Sequence, residues 1–319
     1  MKRIAAALLS LFFIHGEIQA QAYPARSVKI IVPFGVGGPA DIYARFLGAR
    51  LGDAMGQPFV IENRPGAGAV LGSDAVAKSA PDGYTLLMMS NTHTVNETLI
   101  PQKPYTLMRD LAPINGVNYS DLLMVVHPSV PANNLKEFIA LAKAKPKELN
   151  YASSGPGTPY HMAGELFKAM AGVDIVHVPY KGSDGARVGI LGNQVQMMLD
   201  AITTMAPNVR AGKLKAMGTT GKTRSTVLPD VPTIAEAGVP GYETGIWLGL
   251  MAPMGTPRLV LERLNMEIAK VLNTADVKDS WEKQGAAPMS MSIPDFDKFL
   301  REDIAKWAGV VKSTGMKVD

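Results

Sequence analysis

Short apolar segments rich in β-branched residues alternate with segments of helical spacing along most of this chain. Val28 to Val32 is such a β-branched run, and Asp41 to Met55 follows it with apolar residues at helical spacing. Strands that alternate with helices build parallel sheets with helices on both faces. The chain is therefore predicted to have an α/β fold.

The alternation falls into two series, separated by the segment Leu122 to His127. The first series adds the strands Phe59 to Glu62 and Thr85 to Met89 and the helix Gly68 to Ser79. The second series adds the helices Leu135 to Lys145, Pro159 to Ala171 and Ala186 to Leu191, and the strands Asn150 to Ala152, Ile175 to Val178 and Val195 to Leu199.

Two series of elements in 319 residues predict two lobes, because one compact core seldom grows so large. The apolar segments Leu122 to His127 and Thr244 to Ala252 bracket the second series, and each leads into a proline. We interpret them as paired hinge strands. Lobe I then comprises residues 23–123 and 247–319, and lobe II comprises residues 124–246. In the returning part, helices are predicted at Arg258 to Leu272, Pro294 to Phe299 and Ile304 to Val311.

The first residues have the pattern of an export signal. Lys2 and Arg3 precede the apolar run Ile4 to Ile14, and small residues at Ala20 and Ala22 fit a cleavage site. The run is too short for a membrane-spanning helix, which needs about 20 apolar residues. We predict a signal peptide over residues 1–22 and a periplasmic mature protein. Since the chain has no cysteine, the mature protein is expected to carry neither a disulfide nor a lipid anchor.

The charge pattern bears on the kind of partner. The formal net charge is +4, and no basic block or basic stripe with interleaved aromatic residues occurs. This argues against nucleic acid and favours small anionic solutes. A monomer is expected.

Two glycine-containing segments superficially resemble nucleotide-binding motifs. Gly221-Lys222-Thr223 follows a short strand, but Ala216 stands where a phosphate-binding loop needs its first glycine. The segment Gly66 to Gly72 follows a strand and opens a helix, but its spacing differs by one residue from the dinucleotide fingerprint. Close packing of helix on sheet explains Gly72 better.

The sequence offers no recognisable catalytic set. The histidines His93, His127, His161 and His177 are scattered, and no Gly-x-Ser-x-Gly elbow occurs. We expect hydrogen-bonded structural histidines, no metal, no cofactor and no enzymatic activity.

Similar glycine- and hydroxyl-rich loops follow several predicted strands. They are Phe34 to Asp41, Ser90 to Thr92, Ser153 to Thr158 and Tyr180 to Ser183. In open α/β sheets, ligands bind at the carboxyl ends of the strands, and the N–H groups at helix starts favour an anion. A carboxylate fits this set of donors. Ordinary turns and caps are the alternative explanation for any single loop.

Five motifs in order resemble the Bug family, the periplasmic receptors of tripartite tricarboxylate transporters. The resemblance runs from about Tyr23 to Gly315. The motifs are Val32-Pro33-Phe34 with Gly37-Gly38 and Asp41; Glu62 to Gly68; Ala80 to Leu86; His177 to Gly182; and Leu228 to Thr233 with Glu236-Ala237-Gly238.

The resemblance implies a type II periplasmic-binding fold, or Venus flytrap, with two strands crossing between the lobes. It implies that the loop Phe34 to Asp41 grips a ligand carboxylate, partly through water, and that loops of lobe II close over it. Asp200 either lines the cleft or makes a cap or hinge contact, and Asp41 fits the acidic first turn of a helix. The predicted ligand-binding residues are Phe34, Gly35, Gly37, Gly38, Asp41, Ser90, Thr92, Ser154, Gly157, Thr158, Tyr180, Lys181, Gly182 and Asp200.

The predicted function is capture of a small carboxylate-bearing metabolite and its delivery to the membrane subunits of a tripartite tricarboxylate transporter. A periplasmic sensor component that presents its ligand to a signalling protein fits the same sequence. An enzyme of unassigned reaction is the third hypothesis.

Overall fold

The computed structural model describes residues 23–315. The predicted signal peptide, residues 1–22, lies outside the described residues. Within residues 23–315, no helix is both long enough and apolar enough to cross a bilayer.

The described chain consists of alternating strands and helices with a helical tail. The strands are β1 (Val28–Val32), β2 (Phe59–Asn63), β3 (Thr85–Ser90), β4 (Leu111–Val126), β5 (Asn150–Ser153), β6 (Val176–Pro179), β7 (Met197–Ala201), β8 (Lys215–Thr219), β9 (Gly245–Pro253) and β10 (Ala286–Pro288). The helices are α1 (Pro39–Met55), α2 (Val70–Ala77), α3 (Asn91–Leu99), α4 (Leu107–Asp110), α5 (Leu135–Ala144), α6 (Pro159–Ala171), α7 (Ser183–Leu191), α8 (Ile202–Arg210), α9 (Arg258–Leu272), α10 (Ala275–Glu282) and α11 (Ile293–Thr314).

The 16-residue strand β4 takes part in both lobes. Its first part pairs antiparallel with β9 and β10, in a sheet completed by β3, β1 and β2. Its last five residues pair antiparallel with β7 and β8, in a sheet completed by β5 and β6. We call the part built on β1, β2, β3, β9 and β10 lobe I, and the part built on β5 to β8 lobe II.

Both sheets are covered on both faces, because successive residues of β4 and of β1 pack into different cores. Leu122 and Met124 belong to one core of lobe II, whereas Leu123 and Val125 belong to the other. In lobe I, Val28, Ile30 and Val32 of β1 face one core, and Ile31 faces the other. A fully buried apolar run therefore becomes a central strand with helices on each side.

A fifth apolar cluster joins the lobes. Met162 of α6 is fully buried against Val95 and Leu99 of α3 and Trp307 and Val311 of α11. Since α3 and α11 pack on lobe I while α6 packs on lobe II, this cluster holds the two lobes together away from the shared strand.

The chain crosses from one sheet to the other at the start of each of the two predicted hinge segments. Leu122 to Val126 already pairs with β7 and β8, and Gly245 to Pro253 already pairs with β4. The chain passes between sheets at Asp121–Leu122 and returns at Gly245. The proposed lobe boundaries at residues 123 and 246 stay a prediction.

Two expectations about helices were wrong. The tail segments Pro294 to Phe299 and Ile304 to Val311 form one helix, α11, which begins where the Ser292 side chain accepts a hydrogen bond from the Asp295 N–H. Asn91 and Thr92 do not lie in a loop but open α3, with Ser90 as its N-cap. The capping hydrogen bonds convert the end of β3 directly into a helix.

Candidate ligand-binding site

Five helix N-termini converge on one cavity of about 680 Å³ between the lobes. The residues that cap α1, α2 and α3 line it from lobe I, and those that cap α6 and α7 line it from lobe II. These N-cap residues are Gly38, Ala69, Ser90, Thr158 and Gly182.

Four of the five caps leave their helix start without a side-chain partner. Only Ser90 accepts a capping hydrogen bond, from the Thr92 N–H at 3.2 Å. No side-chain cap bond forms at Gly38, Ala69, Thr158 or Gly182. Helix N-termini carry partial positive charge and unpaired N–H donors. The cavity therefore presents main-chain donors suited to an anion.

The remainder of the wall is mostly apolar. Phe34 and Pro39 of lobe I, Tyr160 of lobe II and Ile246 and Leu248 of β9 line the cavity. Such surfaces favour the carbon skeleton of a ligand whose polar group meets the helix starts.

Few formal charges reach the cavity. Among the described lining residues, Lys181 and Asp184 are the two with formally charged side chains. Asp184 is paired with Arg187, with 2.9 Å between Oδ1 and Nη1. Lys181 thus supplies a cation at the lobe II side of the cavity, and the main-chain donors supply the remaining attraction for an anion.

The β1–α1 loop is held from behind by Asp41. The Asp41 Oδ2 accepts a hydrogen bond from the Gly37 N–H at 3.0 Å, and its Oδ1 lies 2.9 Å from Arg45 Nη2. Asn63 bridges the same network, since it accepts from Arg45 and donates to the Phe34 carbonyl at 3.1 Å. Burial acts to raise the pKa of Asp41, but Arg45, the Gly37 N–H and Asn63 hold that pKa below its ordinary value. Asp41 therefore stays a carboxylate and acts on the loop.

Asp200 acts behind the lobe II wall. It is fully buried at the end of β7, and its Oδ2 accepts a hydrogen bond from Arg187 Nε at 2.7 Å. Its Oδ1 accepts from the Ala201 N–H at 2.7 Å. Asp200 is not among the residues that line the cavity, and both of these contacts are within lobe II, one of them to the N-cap residue of α8.

The structure brings eight of the fourteen predicted ligand-binding residues to the cavity wall. They are Phe34, Gly35, Gly38, Ser90, Ser154, Thr158, Lys181 and Gly182. The other six are not among the residues that line it: Gly37, Asp41, Thr92, Gly157, Tyr180 and Asp200. That any of them binds ligand stays a prediction.

Gly37 illustrates the difference. Its φ is +80°, a conformation that L side chains rarely adopt, and a Cβ there would meet nothing within 4 Å. Its N–H is directed to Asp41, so Gly37 shapes the loop instead of facing the cavity.

The loop Pro65 to Ala69 was missed as part of the site. It lines the cavity between β2 and α2, although the segment Gly66 to Gly72 was considered as a dinucleotide fingerprint and its Gly72 was attributed to packing. Packing does explain Gly72, where a Cβ would lie 2.8 Å from both the Arg64 carbonyl oxygen and Pro33 Cβ. The position of the loop, after a strand and before a helix at the same sheet edge, was the signal that pointed to the site.

The histidines expected to be scattered include one adjacent pair. The rings of His161 and His177 stack with their centroids 4.0 Å apart. In residues 23–315, no group of three or more His, Cys, Asp or Glu side chains forms a potential metal site.

Two α/β lobes that share a cavity lined by helix N-termini from both define the chain as a two-lobed solute-binding receptor. The sequence model of the tripartite tricarboxylate transporter family receptor, TctC, matches residues 43–316. The chain belongs to this family, whose members are periplasmic solute-binding receptors.

Relatives of known sequence and structure support the assignment. The protein BugT of Bordetella pertussis is 39% identical over 308 residues, which cover 96% of this chain and 94% of BugT. An R. palustris protein solved with adipate is 35% identical, with a TM-score of 0.88 over 92% of this chain and 99% of its own. MatC from Rhodopseudomonas palustris, solved with bound malate, is 34% identical, with a TM-score of 0.84 over 91% of this chain and 100% of its own.

Proposed function

We propose that this receptor binds a small carboxylate-bearing solute in the cavity between its lobes and delivers it to the membrane subunits of a tripartite tricarboxylate transporter. The observation that carries the proposal is the convergence of five helix N-caps, from both lobes, on one cavity. The relatives solved with adipate and malate support it, because both ligands are carboxylates.

The binding mode follows from the donors. A carboxylate meets the open helix starts at Gly38 on lobe I and at Thr158 and Gly182 on lobe II. Lys181 adds a formal positive charge. The carbon skeleton lies against the apolar wall. Uncharged main-chain donors suit many carboxylates, and the wall selects among them.

Calorimetric titration against matched acids and amides tests this proposal. Adipate and malate are compared with adipamide and malamide, so that only the charge and the acceptor oxygens change. We expect at least one acid to bind at least tenfold more tightly than its amide. Equal affinity for an acid and its amide, or binding of amides only, contradicts a carboxylate site.

A charge introduced into the cavity locates the site. Ser154→Glu places a carboxylate at the lobe II wall, and it is expected to weaken binding of the acid at least tenfold. Ser280→Glu makes the same charge change on the exposed face of α10, and it is expected to leave affinity within twofold. Equal effects of the two variants contradict this location.

Binding is proposed to close the lobes. A ligand that contacts both lobes has additional contacts only in the closed state, so it shifts the open–closed equilibrium. Small-angle scattering with saturating ligand is expected to give a smaller radius of gyration. An unchanged radius describes a rigid binding module instead.

We propose lobe boundaries at residues 23–123 with 247–319 and at residues 124–246. The separate cores support a division near these residues, since Met124 and Ile246 pack in a core of lobe II and Trp247 packs in a core of lobe I. Leu122 also packs in the lobe II core, which places the first change of core two residues before the proposed boundary. Limited proteolysis followed by mass spectrometry tests the boundaries.

We propose a periplasmic monomer whose mature chain begins at Tyr23, after removal of residues 1–22. The family's periplasmic role supports this compartment. Mass spectrometry of the exported protein reads the first residue, and light scattering reads the oligomeric state. A sensor protein that recognises the closed form is a further candidate partner.

We propose that the bound solute leaves unchanged, because the chain belongs to a family of receptors. Incubation of the protein with bound ligand, followed by mass analysis, is expected to return the same compound. A new product peak contradicts a pure receptor.

A further inference from the structure

His161, which is buried, and His177, which is half-buried, form an aromatic stack behind a loop of the ligand cavity. His161 lies on α6 and His177 on β6, and their rings stack at 4.0 Å with planes 19° apart. Tyr151 of β5 stacks on the other face of His177, at 4.8 Å and 26°. Neither histidine lines the cavity, so binding as proposed above leaves the pair without a role.

Each histidine bonds to a different end of the loop Ser153 to Thr158. His161 Nδ1 accepts a hydrogen bond from the Gly157 N–H at 3.0 Å. His177 Nε2 shares a 2.6 Å hydrogen bond with Ser153 Oγ. Ser153 Oγ in turn accepts from the Gly155 N–H at 3.1 Å. The stack therefore ties both ends of this loop to the body of lobe II.

The same loop forms part of the cavity wall and touches lobe I. Ser154 and Thr158 line the cavity. Gly157 has a φ of +71°, and a Cβ there would lie 2.9 Å from Leu99 Cδ2 and 3.2 Å from Asn96 Oδ1 of α3. A small displacement of this loop thus changes both the ligand wall and the contact between lobes.

The hydrogen bond from Gly157 requires a neutral imidazole at His161. His161 Nδ1 can accept from Gly157 only when it carries no proton. Burial, together with Lys168, lowers the pKa of His161 to about 4. Burial, followed by the effects of His161 and Lys168, lowers the pKa of His177 to about 3, against an opposing effect of Glu165. Both rings are uncharged at neutral pH, when stacking brings no repulsion between charges.

We infer that His161 and His177 are positioning residues, which hold the loop Ser153 to Thr158 in the conformation that completes the lobe II side of the ligand site. The inference rests on the proposed function of the cavity, but the position of the loop can be measured without ligand. The two histidines use different ring nitrogens, and this difference allows a reciprocal test.

Asparagine and glutamine distinguish the two nitrogens. The Asn Oδ1 takes the place of a histidine Nδ1, and the Gln amide group takes the place of Nε2. His161→Asn is therefore expected to retain the bond to Gly157, whereas His161→Gln loses it. For His177 the expectation reverses: His177→Gln retains the bond to Ser153, and His177→Asn loses it.

The readout is amide hydrogen exchange of residues 153–158 by NMR in the unliganded protein. We expect protection at the Gly157 amide within threefold of wild type for His161→Asn and at least tenfold lower for His161→Gln. At the Gly155 amide, we expect protection near that of wild type for His177→Gln. For His177→Asn we expect protection at least tenfold lower. The inference is overturned if the same substitution preserves protection at both histidines. It is also overturned if the Asn and Gln variants of one histidine give equal protection.

A measurement on the wild-type protein covers the case in which a variant fails to fold. Nitrogen-15 shifts of the histidine rings are expected to show His161 unprotonated at Nδ1 and protonated at Nε2 at pH 7. A proton on Nδ1 at pH 7 overturns the inference, because that nitrogen then has no lone pair for Gly157.

Titration of the same four variants with adipate tests the positioning role of the histidines separately from the proposed function. If wild type binds adipate, His161→Asn and His177→Gln are expected to bind within threefold, and the other two at least tenfold more weakly. Equal binding by all four overturns the positioning role and leaves the proposed function intact. If wild type binds none of the carboxylates tested, the proposed function fails, and the exchange pattern alone decides the role of the histidines in the loop.

Discussion

Arg187 Nε donates a 2.7 Å hydrogen bond to the carboxylate of Asp200, which has no solvent-exposed surface. The pair joins the end of β7 to α7, the helix whose N-cap, Gly182, lines the ligand cavity. The sequence left open whether Asp200 lines the cleft or makes a cap or hinge contact. Through Arg187 and α7, Asp200 supports the lobe II wall.

Asp200→Asn is expected to lower the free energy of unfolding by about 2 kcal/mol, because it leaves a mostly buried guanidinium without its buried partner. Asp184 continues to pair with Arg187, which keeps the loss below that of a fully isolated charge. Urea unfolding measures the change. As a control, Asp184→Asn removes an acid that is 77% exposed and is expected to cost under about 0.5 kcal/mol. Equal losses for the two variants contradict this account.

Gly37→Ala is expected to lower the free energy of unfolding by about 1 kcal/mol, since alanine is strained at a φ of +80°. Ligand affinity is expected to fall with it, because the loop held by Asp41 shifts. The control is Gly38→Ala, at a φ of −78°, where a Cβ would meet only the Gly35 carbonyl at 3.8 Å. Its expected stability change is within about 0.5 kcal/mol. A larger loss at Gly38 than at Gly37, measured by urea unfolding, contradicts the role assigned to the loop conformation.

Met162→Ala tests the cluster that joins the lobes. The substitution opens a cavity against Leu99 and Trp307 and is expected to cost about 2 to 4 kcal/mol. It is also expected to increase the radius of gyration of the unliganded protein and to weaken ligand binding. Met205→Ala deletes an equally buried methionine inside lobe II. It is expected to cost similar stability with no change in radius. A radius that responds equally to both variants shows that the cluster does not hold the lobes together.

Asp121→Asn is expected to stabilise the protein at pH 8 and to have no effect near pH 4. Burial, reinforced by the Glu243 carboxylate, raises the pKa of Asp121 to about 6. A carboxyl whose folded-state pKa lies above its unfolded value costs stability in its charged form. That cost is absent below about pH 4, grows as the pH rises through 6, and is complete above it. The expected gain is about 3 kcal/mol at pH 8, since each pKa unit of the rise corresponds to about 1.4 kcal/mol.

Urea unfolding from pH 4 to pH 8 measures this dependence. Glu243→Gln removes the neighbouring charge, so it is expected to move the midpoint of the wild-type effect to lower pH. A gain from Asp121→Asn that is constant over the whole range contradicts a titrating carboxyl at this position.

The sequence predicted best where local signals and tertiary packing agree. The bounds of α6 and α9 match the predicted bounds, and α6 combines a proline in its first turn with apolar residues at helical spacing. The first part of β4 was missed because Pro113, Gly116 and several polar residues interrupt its pattern. It is nevertheless a central strand, since β9 and β10 enclose it.

Helix α3 was missed for a related reason. Its residues are mostly polar, including Asn91, Thr92 and Asn96, yet all three are buried. Two of them bond to distant segments, since Asn91 Nδ2 donates to the Gly245 carbonyl and Asn96 Nδ2 donates to the Gly68 carbonyl. The Thr92 hydroxyl and the Oδ1 atoms of both asparagines have no hydrogen-bond partner among the described residues. The distant partners are set by the tertiary fold, and no periodicity in the sequence reports them.

The ligand site was likewise predicted in part. Loops that follow strands could be placed from the sequence, because the sheet topology brings their ends together. Which residue of each loop faces the cavity depends on hydrogen bonds behind the wall, such as that of Gly37 with Asp41. Ile246 and Leu248 were interpreted as hinge residues, since a buried apolar strand looks the same whether it faces a core or a ligand.

Asp121 of β4 and Gly245 of β9 are register partners, so the chain leaves lobe I and returns to it on the same rung of the ladder. In an antiparallel pair the two Cα atoms lie about 5 Å apart. Lobe II is thus an insertion at the tip of the hairpin that β4 and β9 form. Without lobe II, a short turn could join Asp121 to Gly245. A lobe II from a relative meets the same two ends in the same register. Half of a binding site can therefore be exchanged between receptors as one unit, while the half that lobe I contributes stays as it is.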